Sequence, residues 1–341
     1  VQNNIAMSWQ WADETEDMNQ SSVVTTTEPP KEDHPIDDSI ERKASLDQAI
    51  RTFQQRHHIN EEGVLGLKTR AQLALSVPEI IASIRTNLER WRWFQHLPTE
   101  LNQQYIEVNI ANFSLRYIHD AQNFSMKAVV GTLQRQTPMM EASLNHLVFN
   151  PYWRIPKTIL VQDILPKLKK DLNYLNQHNI KIFNLNDPQE RQPLDPNSID
   201  WKSMSAQGIL KYRFRQDAGA TNALGAIKFM FPNNQDIYIH DTPVRSTFAR
   251  TTRLASSGCI RAEKPKELAF HILNRNQSPT TQALVKNYLQ SNQQHVVWLK
   301  DPIPVYLTYQ TVWADESGRI FSRPDVYKYD TKLLDLFRNQ L

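Results

Sequence analysis

Two segments carry most of what this chain discloses: Ile237-Tyr238-Ile239-His240-Asp241-Thr242-Pro243 and Ser256-Ser257-Gly258-Cys259-Ile260-Arg261. The first reads as a strand. Alternate residues of a strand face opposite sides, so Ile237 and Ile239 belong to a core while Tyr238 and His240 share the other face. The second places small residues and a glycine directly before a cysteine. That composition permits a tight backbone approach with successive amides pointing one way, the arrangement an oxyanion hole needs. A free thiol has a pKa near ~8.5, so a nucleophilic cysteine needs an imidazole or cationic neighbours to raise its thiolate fraction. Bland alternatives stand beside each residue. Cys259 could pack as a small hydrophobe, and His240 could be a satisfied core histidine. His119, His146, His271 and His295 compete for the role of base, and spacing alone does not choose among them. Arg261 fits a grip on a substrate carboxylate or a structural ion pair equally well.

Bulk properties set the limits. The 341 residues suffice for two domains or one large one, and 40% hydrophobic with 22% charged residues is ordinary for a globular protein. A net charge of +3 is too small to argue for nucleic acid. With Cys259 as the single cysteine, no internal disulfide and no cysteine-based zinc cluster can form. A solitary thiol does not identify the compartment. No apolar run approaches the ~20 residues that span a bilayer. Val1 opens the chain with no legible secretory signal, as expected of a fragment or processed form.

Along the chain, residues 1–42 read as an acidic disordered tail or linker, in which Asp13, Glu14, Glu16, Asp17 and later acids have little basic compensation. Residues 43–77 read as two short helices around the turn Glu62-Gly63-Val64, with Leu46, Ile50 and Phe53 on one helical face. A connecting helix follows over 78–97, whose stripe of Ile80, Ile81, Ile84, Leu88 and Trp91 is expected to pack into a core. After Pro98 the texture turns to strand: Tyr105–Asn109, Leu115 with Tyr117, Phe124–Val130 and Leu147–Phe149. Residues 156–212 form a polar stretch with Ile164, Leu165, Leu168, Leu172 and Leu175 at helical spacing, read as an inserted subdomain. Residues 277–341 read as a C-terminal extension with a strand-like piece from Val296 to Leu299.

The His240-Asp241-Thr242-Pro243 and Ser256-x-Gly258-Cys259-Ile260-Arg261 blocks resemble the signature of the L,D-transpeptidases, in the form of that family's long periplasmic branch. Further blocks in the same order resemble it too: Val130-Gly131 with Arg135-Gln136-Thr137-Pro138, Asn150-Pro151-Tyr152-Trp153 with Ile155-Pro156, and Arg213–Asp217 through Asn222–Gly225 and Lys228-Phe229. The run Phe53-Gln54-Gln55-Arg56-His57-His58 with Gly63–Thr69 resembles the second half of a peptidoglycan-binding domain. There His58 stands where glycine is common and Glu62 where aspartate is common. The resemblance implies an α+β protein: a mainly-β catalytic domain over 98–276, a helical inserted lid over 156–212 and a small N-terminal helical module. It implies Cys259 as nucleophile and His240 as base, with amides around Gly258 and Ser257 forming the oxyanion site and the Asp241 carbonyl orienting the imidazole. Tyr238, Arg261, Trp153 and Ser256 become candidates for substrate binding, Trp153 serving as a core aromatic in the competing view. The implied reaction is 3→3 cross-linking of peptidoglycan tetrapeptide stems with release of terminal D-Ala. An L,D-carboxypeptidase at the same site and a non-catalytic wall-binding scaffold are the alternatives. No metal or organic cofactor is implied. The partners would be peptidoglycan stem peptides and glycan, with room for other wall-synthesis proteins. The place would be the periplasm of a Gram-negative cell, with room for membrane anchoring through a missing N-terminus, since no anchor is visible in this chain.

Overall fold

The computed structural model describes residues 38–60, 62–94, 104–119, 122–276, 282–291, 293–315 and 317–338. The expectation of a disordered tail therefore lies outside the described residues up to 37. From Asp38 it gives way to a helix, α1 (Asp38–Arg56), followed by α2 (Leu67–Leu73) and α3 (Val77–Trp91). The sheet region opens with β1 (Tyr105–Asn109), β2 (Ser114–His119), β3 (Gln122–Gly131) and β4 (Met140–Phe149). The insertion holds β5 (Trp153–Arg154), β6 (Ile180–Asn184) and β7 (Tyr212–Gln216). Next come β8 (Ile227–Met230), β9 (Ile239–His240), β10 (Leu254–Ser256) and β11 (Ile260–Ala262). The strands end with β12 (His295–Thr308), β13 (Val312–Ala314) and β14 (Ile320–Ser322).

Among the described residues, one sheet runs in the order β10-β3-β11-β9-β8-β4-β12-β1-β2, and β2 pairs again with β3. That second pairing closes eight strands into a barrel from which β10 branches, so the ladders have few open edges. Alternation fills the interior. Ile106, Val108, Leu115, Phe229, Ile239 and Ile260 are wholly or almost wholly buried, and each contributes roughly 1.5–3 kcal/mol by leaving water. The helix Pro265–Arg275 adds Leu268, Ala269, Ile272 and Leu273 to the same core. The opposite face of β8, β9 and β11 is left to line a groove.

Three sequence expectations change. Residues 277–341 are not an appendage: β12 lies between β4 and β1 in the middle of the sheet. The apolar pattern was read only as far as Leu299, because Pro302 and Pro304 interrupt it. The strand continues past them with a break in register between Trp298 and Ile303. The insertion is not purely helical. Short helices surround a three-stranded sheet, β5-β7-β6, and Leu160, Ile164, Leu168, Ile182 and Phe214 make a second core.

The third change concerns α3. Its apolar stripe faces outward, with Ile81 51% and Leu88 58% exposed, while Thr86, Asn87 and Arg90 are buried. Periodicity locates a stripe but not the neighbour it meets. Here the neighbour is polar: Arg90 Nε donates to the Tyr309 carbonyl at 2.9 Å, and its guanidinium pairs with Asp330 at 2.5 Å. Asn87 exchanges hydrogen bonds with Thr311, at 2.7 and 2.8 Å. An apolar face could not have satisfied these buried groups.

The module's motif residues hold its own turn. Gln54 is buried, and its side chain accepts from the Gly63 amide at 3.0 Å and donates to the Val64 carbonyl at 2.8 Å and to the Thr69 hydroxyl at 3.1 Å. His58, standing where glycine is common, has φ +53, a left-handed conformation that glycine adopts without strain. Its Nε2 lies 2.8 Å from the Thr251 carbonyl, so the ring is fixed against the loop that leads into β10.

Candidate active site

The groove on the outer face of the barrel has a volume of about 1750 Å³ and is lined by Cys259, His240, Tyr238, Lys228, Arg261 and Trp153 among others. Sheet register explains why these residues meet. Lys228 on β8 pairs with His240 on β9, and Arg261 on β11 pairs with the same His240. Paired residues present their side chains to one face, so the imidazole stands between two cations. Two residues back along the chain, just before β9, is Tyr238, whose carbonyl accepts from the Ile260 amide at 3.0 Å, setting Cys259 beside it. Ile237 and Ile239 turn inward to the core, as the alternation predicts.

The cysteine loop is built by hydrogen bonds to its own backbone. The Ser256 hydroxyl, buried, donates to the Cys259 carbonyl at 2.6 Å and accepts from the Gly258 amide at 3.3 Å. The Gly258 carbonyl accepts from the Thr137 hydroxyl at 2.7 Å, and that hydroxyl in turn accepts from the Gly131 amide at 2.8 Å. Tyr327 joins them: its hydroxyl donates to the Gly131 carbonyl at 2.6 Å and accepts from the Thr137 amide at 3.2 Å. Gly258 has φ +111, a region closed to residues with a Cβ, so the sharp turn before the sulfur requires glycine. Gly131 is needed for space, since a Cβ there would lie 2.1 Å from the Arg135 carbonyl.

These partners reassign two expected residues. The Ser256 hydroxyl is committed inside the loop, where its two hydrogen bonds position the backbone. The Gly258 amide is turned toward Ser256. Among the described residues the Ser257 and Cys259 amides donate to no protein acceptor, so they are the donors left for an oxyanion. Ser257 itself is exposed, and its hydroxyl accepts from Arg135 Nη1 at 2.9 Å. The same guanidinium meets Asp163 at 2.6 and 3.0 Å and Gln162 at 2.6 Å. Asp163 and Gln162 lie on a π-helical turn, Leu160–Ile164, of the insertion. Arg135 thus ties the insertion to the cysteine loop.

His240 is 5% exposed, and its Nδ1 lies 2.5 Å from the Asp241 carbonyl. The orienting contact is made by backbone. The Asp241 carboxylate is occupied elsewhere, accepting from the Ala226 amide at 2.8 Å. Burial, reinforced by Arg261 and Lys228, pushes the imidazole pKa down to about 3, against smaller opposing effects of the Asp241 and Leu224 backbone. The ring is neutral at physiological pH and available as a base. Cys259 is partly exposed. Its thiol is pushed up by burial, while Tyr238 and Lys228 act to lower it. The resting pair is therefore thiol and neutral imidazole. Among the described residues the sulfur lies 3.6 Å from the Asp236 carbonyl and also interacts with the Tyr238 backbone and hydroxyl, while no hydrogen bond joins it to His240.

Tyr238 has an edge-on contact to the His240 ring at 5.7 Å between centroids, and its phenol is raised well above the ordinary range, first by burial. Trp153 borders the groove and also packs against both cores, so the two views of it hold together. Arg261 makes no ion pair among the described residues, and its Nε is buried without a hydrogen-bond partner. Sequence reasoning missed Lys228, Arg135, Thr137 and Tyr327 as shapers of this site. The first three sit in blocks singled out by resemblance, but nothing local distinguishes them. Tyr327 is remote in sequence and had no signal. No group of His, Cys, Asp and Glu side chains among the described residues could hold a metal ion.

Residues 103–298 match the family profile of the YkuD L,D-transpeptidase catalytic domain, more than half of the chain. A Haemophilus influenzae protein named "Putative L,D-transpeptidase" is 38% identical over 229 residues, which is 67% of this chain and 45% of that protein. The match thus spans less than half of that relative's length. Among solved structures, the Ldtfm–avibactam carbamoyl enzyme is 11% identical over 61% of this chain and 51% of its own, with a TM-score of 0.28. An L,D-transpeptidase from Mycobacterium smegmatis is 12% identical over 60% of this chain and 58% of its own, with a TM-score of 0.24. Likeness at these scores carries no argument.

Proposed function

Because the chain belongs to the family of the L,D-transpeptidase catalytic domain, we propose that it is a peptidoglycan acyltransferase forming 3→3 cross-links, with Cys259 as nucleophile and His240 as base. The observation that carries this is the groove in which one partly exposed sulfur and one neutral, backbone-oriented imidazole line the same wall of adjacent strands. The sulfur attacks the carbonyl on the L-centre side of the diamino acid in a tetrapeptide stem, and His240 takes the thiol proton as the bond forms. The Ser257 and Cys259 amides face the developing oxyanion. Collapse of the tetrahedral adduct breaks the peptide bond, and the imidazolium returns its proton to the departing D-Ala amine. A side-chain amine of a second stem then attacks the thioester, loses a proton to His240 and releases the sulfur. Water in place of that amine gives L,D-carboxypeptidase chemistry. Tyr238 and Trp153 wall the groove, and the insertion lies over it as a lid. A peptidoglycan substrate implies a location outside the cytoplasm, and the resemblance to the family's long periplasmic branch favours the periplasm of a Gram-negative cell. On this reading a β-lactam of the carbapenem class acylates the same sulfur.

Mass spectrometry of muropeptides tests this. Purified protein added to peptidoglycan rich in tetrapeptide stems generates 3→3 cross-linked dimers, and Cys259→Ala generates none. Dimers formed by Cys259→Ala contradict the assignment, and stems merely trimmed to tripeptides point to the hydrolytic alternative.

A further inference from the structure

Lys228 has no part in the acyl transfer just described, yet its position is unusual. It lies directly across from His240 on β8, as Arg261 lies directly across from it on β11. Adjacent strands are about 4.8 Å apart, so the two cations leave the backbone about 10 Å from one another with the imidazole between them. Neither forms an ion pair among the described residues, although Asp236 and the Cys259 sulfur, when ionised, lie near enough to act on them. The Lys228 ammonium rests 3.8 Å from the centroid of the Tyr238 ring and forms no ion pair, and the Arg261 Nε is buried and unpartnered.

Of the carboxylates around the groove, Asp163 and Asp241 are engaged elsewhere. Asp163 is held by Arg135, and Asp241 accepts from Ala226 and faces Arg245 at 3.5 Å. Burial disfavours the Lys228 charge, the ionised Cys259 sulfur and then Asp236 favour it without an ion pair, and Arg154, bound to Glu190, opposes it. Two partly buried cations held in no ion pair oppose protonation of the ring between them, and proton uptake is what the chemistry requires of that ring. An anion arriving with the substrate would relieve both.

We propose that Lys228 is a specificity-determining residue which, with Arg261, forms a two-cation cradle astride His240 for a carboxylate of the acyl donor. The proposal rests on Cys259 being the nucleophile. It names the donor's chemistry: a peptide carrying a free carboxylate close to the carbonyl under attack, with amidated donors disfavoured. Carboxylate binding offsets the charge on both sides of the ring, so the base gains proton affinity only when a proper donor is seated.

Alkylation of Cys259 by iodoacetate and by iodoacetamide isolates the effect. Both form the same S–CH2 bond, release iodide and lose the thiol proton, and they differ only in carboxylate against amide. With each rate divided by that of a free small thiol, iodoacetate is favoured over iodoacetamide by about tenfold in the native enzyme, a modest share of what two partly buried cations contribute to an anion. Lys228→Met removes most of that preference, and Lys228→Arg retains it. On the native enzyme alone, acetate slows the iodoacetate reaction more than chloride does at equal ionic strength, a result independent of whether the variants fold. Equal normalised rates in the native enzyme, or a preference untouched by Lys228→Met, overturn the cradle while leaving the nucleophile in place. Failure of both reagents to label Cys259 overturns the nucleophile as well.

Discussion

At the scale of single residues, the site is governed by burial more than by pairing. His240 is neutral because it is buried between cations, and Cys259 is a thiol because burial outweighs the neighbours that favour thiolate. Reactivity of the sulfur toward a neutral alkylating agent should therefore keep rising with pH beyond the ordinary thiol range, with no inflection from His240 between pH 5 and 8. A plateau below pH 7 would mean a preformed thiolate–imidazolium pair. Stability carries the opposite signature. The His240 pKa is about 3 and that of His57 about 4 in the folded chain, and both lie near 6.5 when unfolded. Acidification from about pH 6.5 downward protonates the unfolded chain first, so folding stability falls through that window and the loss is complete only below the folded values. Urea midpoints at pH 7 and pH 5 measure it, and an unchanged or higher midpoint at pH 5 contradicts it. Ser256→Ala leaves the Cys259 carbonyl and the Gly258 amide unpartnered in a buried loop, at a cost of about 1–3 kcal/mol. Thermal unfolding should register that loss, and the acyl-transfer rate should fall with it.

At the scale of elements, the alternation of hydrophobic residues was enough to locate β1 to β4, β9 and the start of β12, and to say which side of β9 faces the core. It put Tyr238 and His240 on one face because the side-chain period of a strand is two, whatever the strand packs against. It failed where the partner decides. The α3 stripe is outward because polar groups of Tyr309, Thr311 and Asp330 claim the other side, and those residues lie more than two hundred positions along the chain. The junction between the insertion and the cysteine loop was equally hidden, since Arg135, Asp163 and Ser257 are joined only by folding. Arg135→Ala should free the π-helical turn and loosen the Ser257 side of the loop, reducing kcat/KM about tenfold or more through misplacement of the nucleophile. Arg135→Lys, which keeps charge but loses the forked geometry, should recover only part of it. Limited proteolysis would show earlier cleavage within residues 156–212 in the alanine variant. Unchanged kinetics and unchanged cleavage would make Arg135 a surface ion pair with no influence on the site.

At the scale of the whole molecule, the functional signature lay within some twenty-five residues, but the fold that presents it draws on strands from Tyr105 to Thr308. The two motif segments were legible because chemistry restricts them. The contribution of the chain after residue 277 was not, because a central strand interrupted by prolines looks like an end. Truncation at residue 277 removes β12 from between β4 and β1, together with the Tyr327 hydroxyl that holds Gly131 and Thr137. The truncated chain should lose cooperative unfolding altogether, and a soluble, cooperatively folded product would refute the placement of β12. All of this serves one sulfur. Its role is tested most directly by the intact mass of the protein after brief exposure to a disaccharide-tetrapeptide. The native chain should gain the mass of that donor less D-Ala, mapped to Cys259 and absent in Cys259→Ala; the same adduct persisting in the alanine variant would contradict the account.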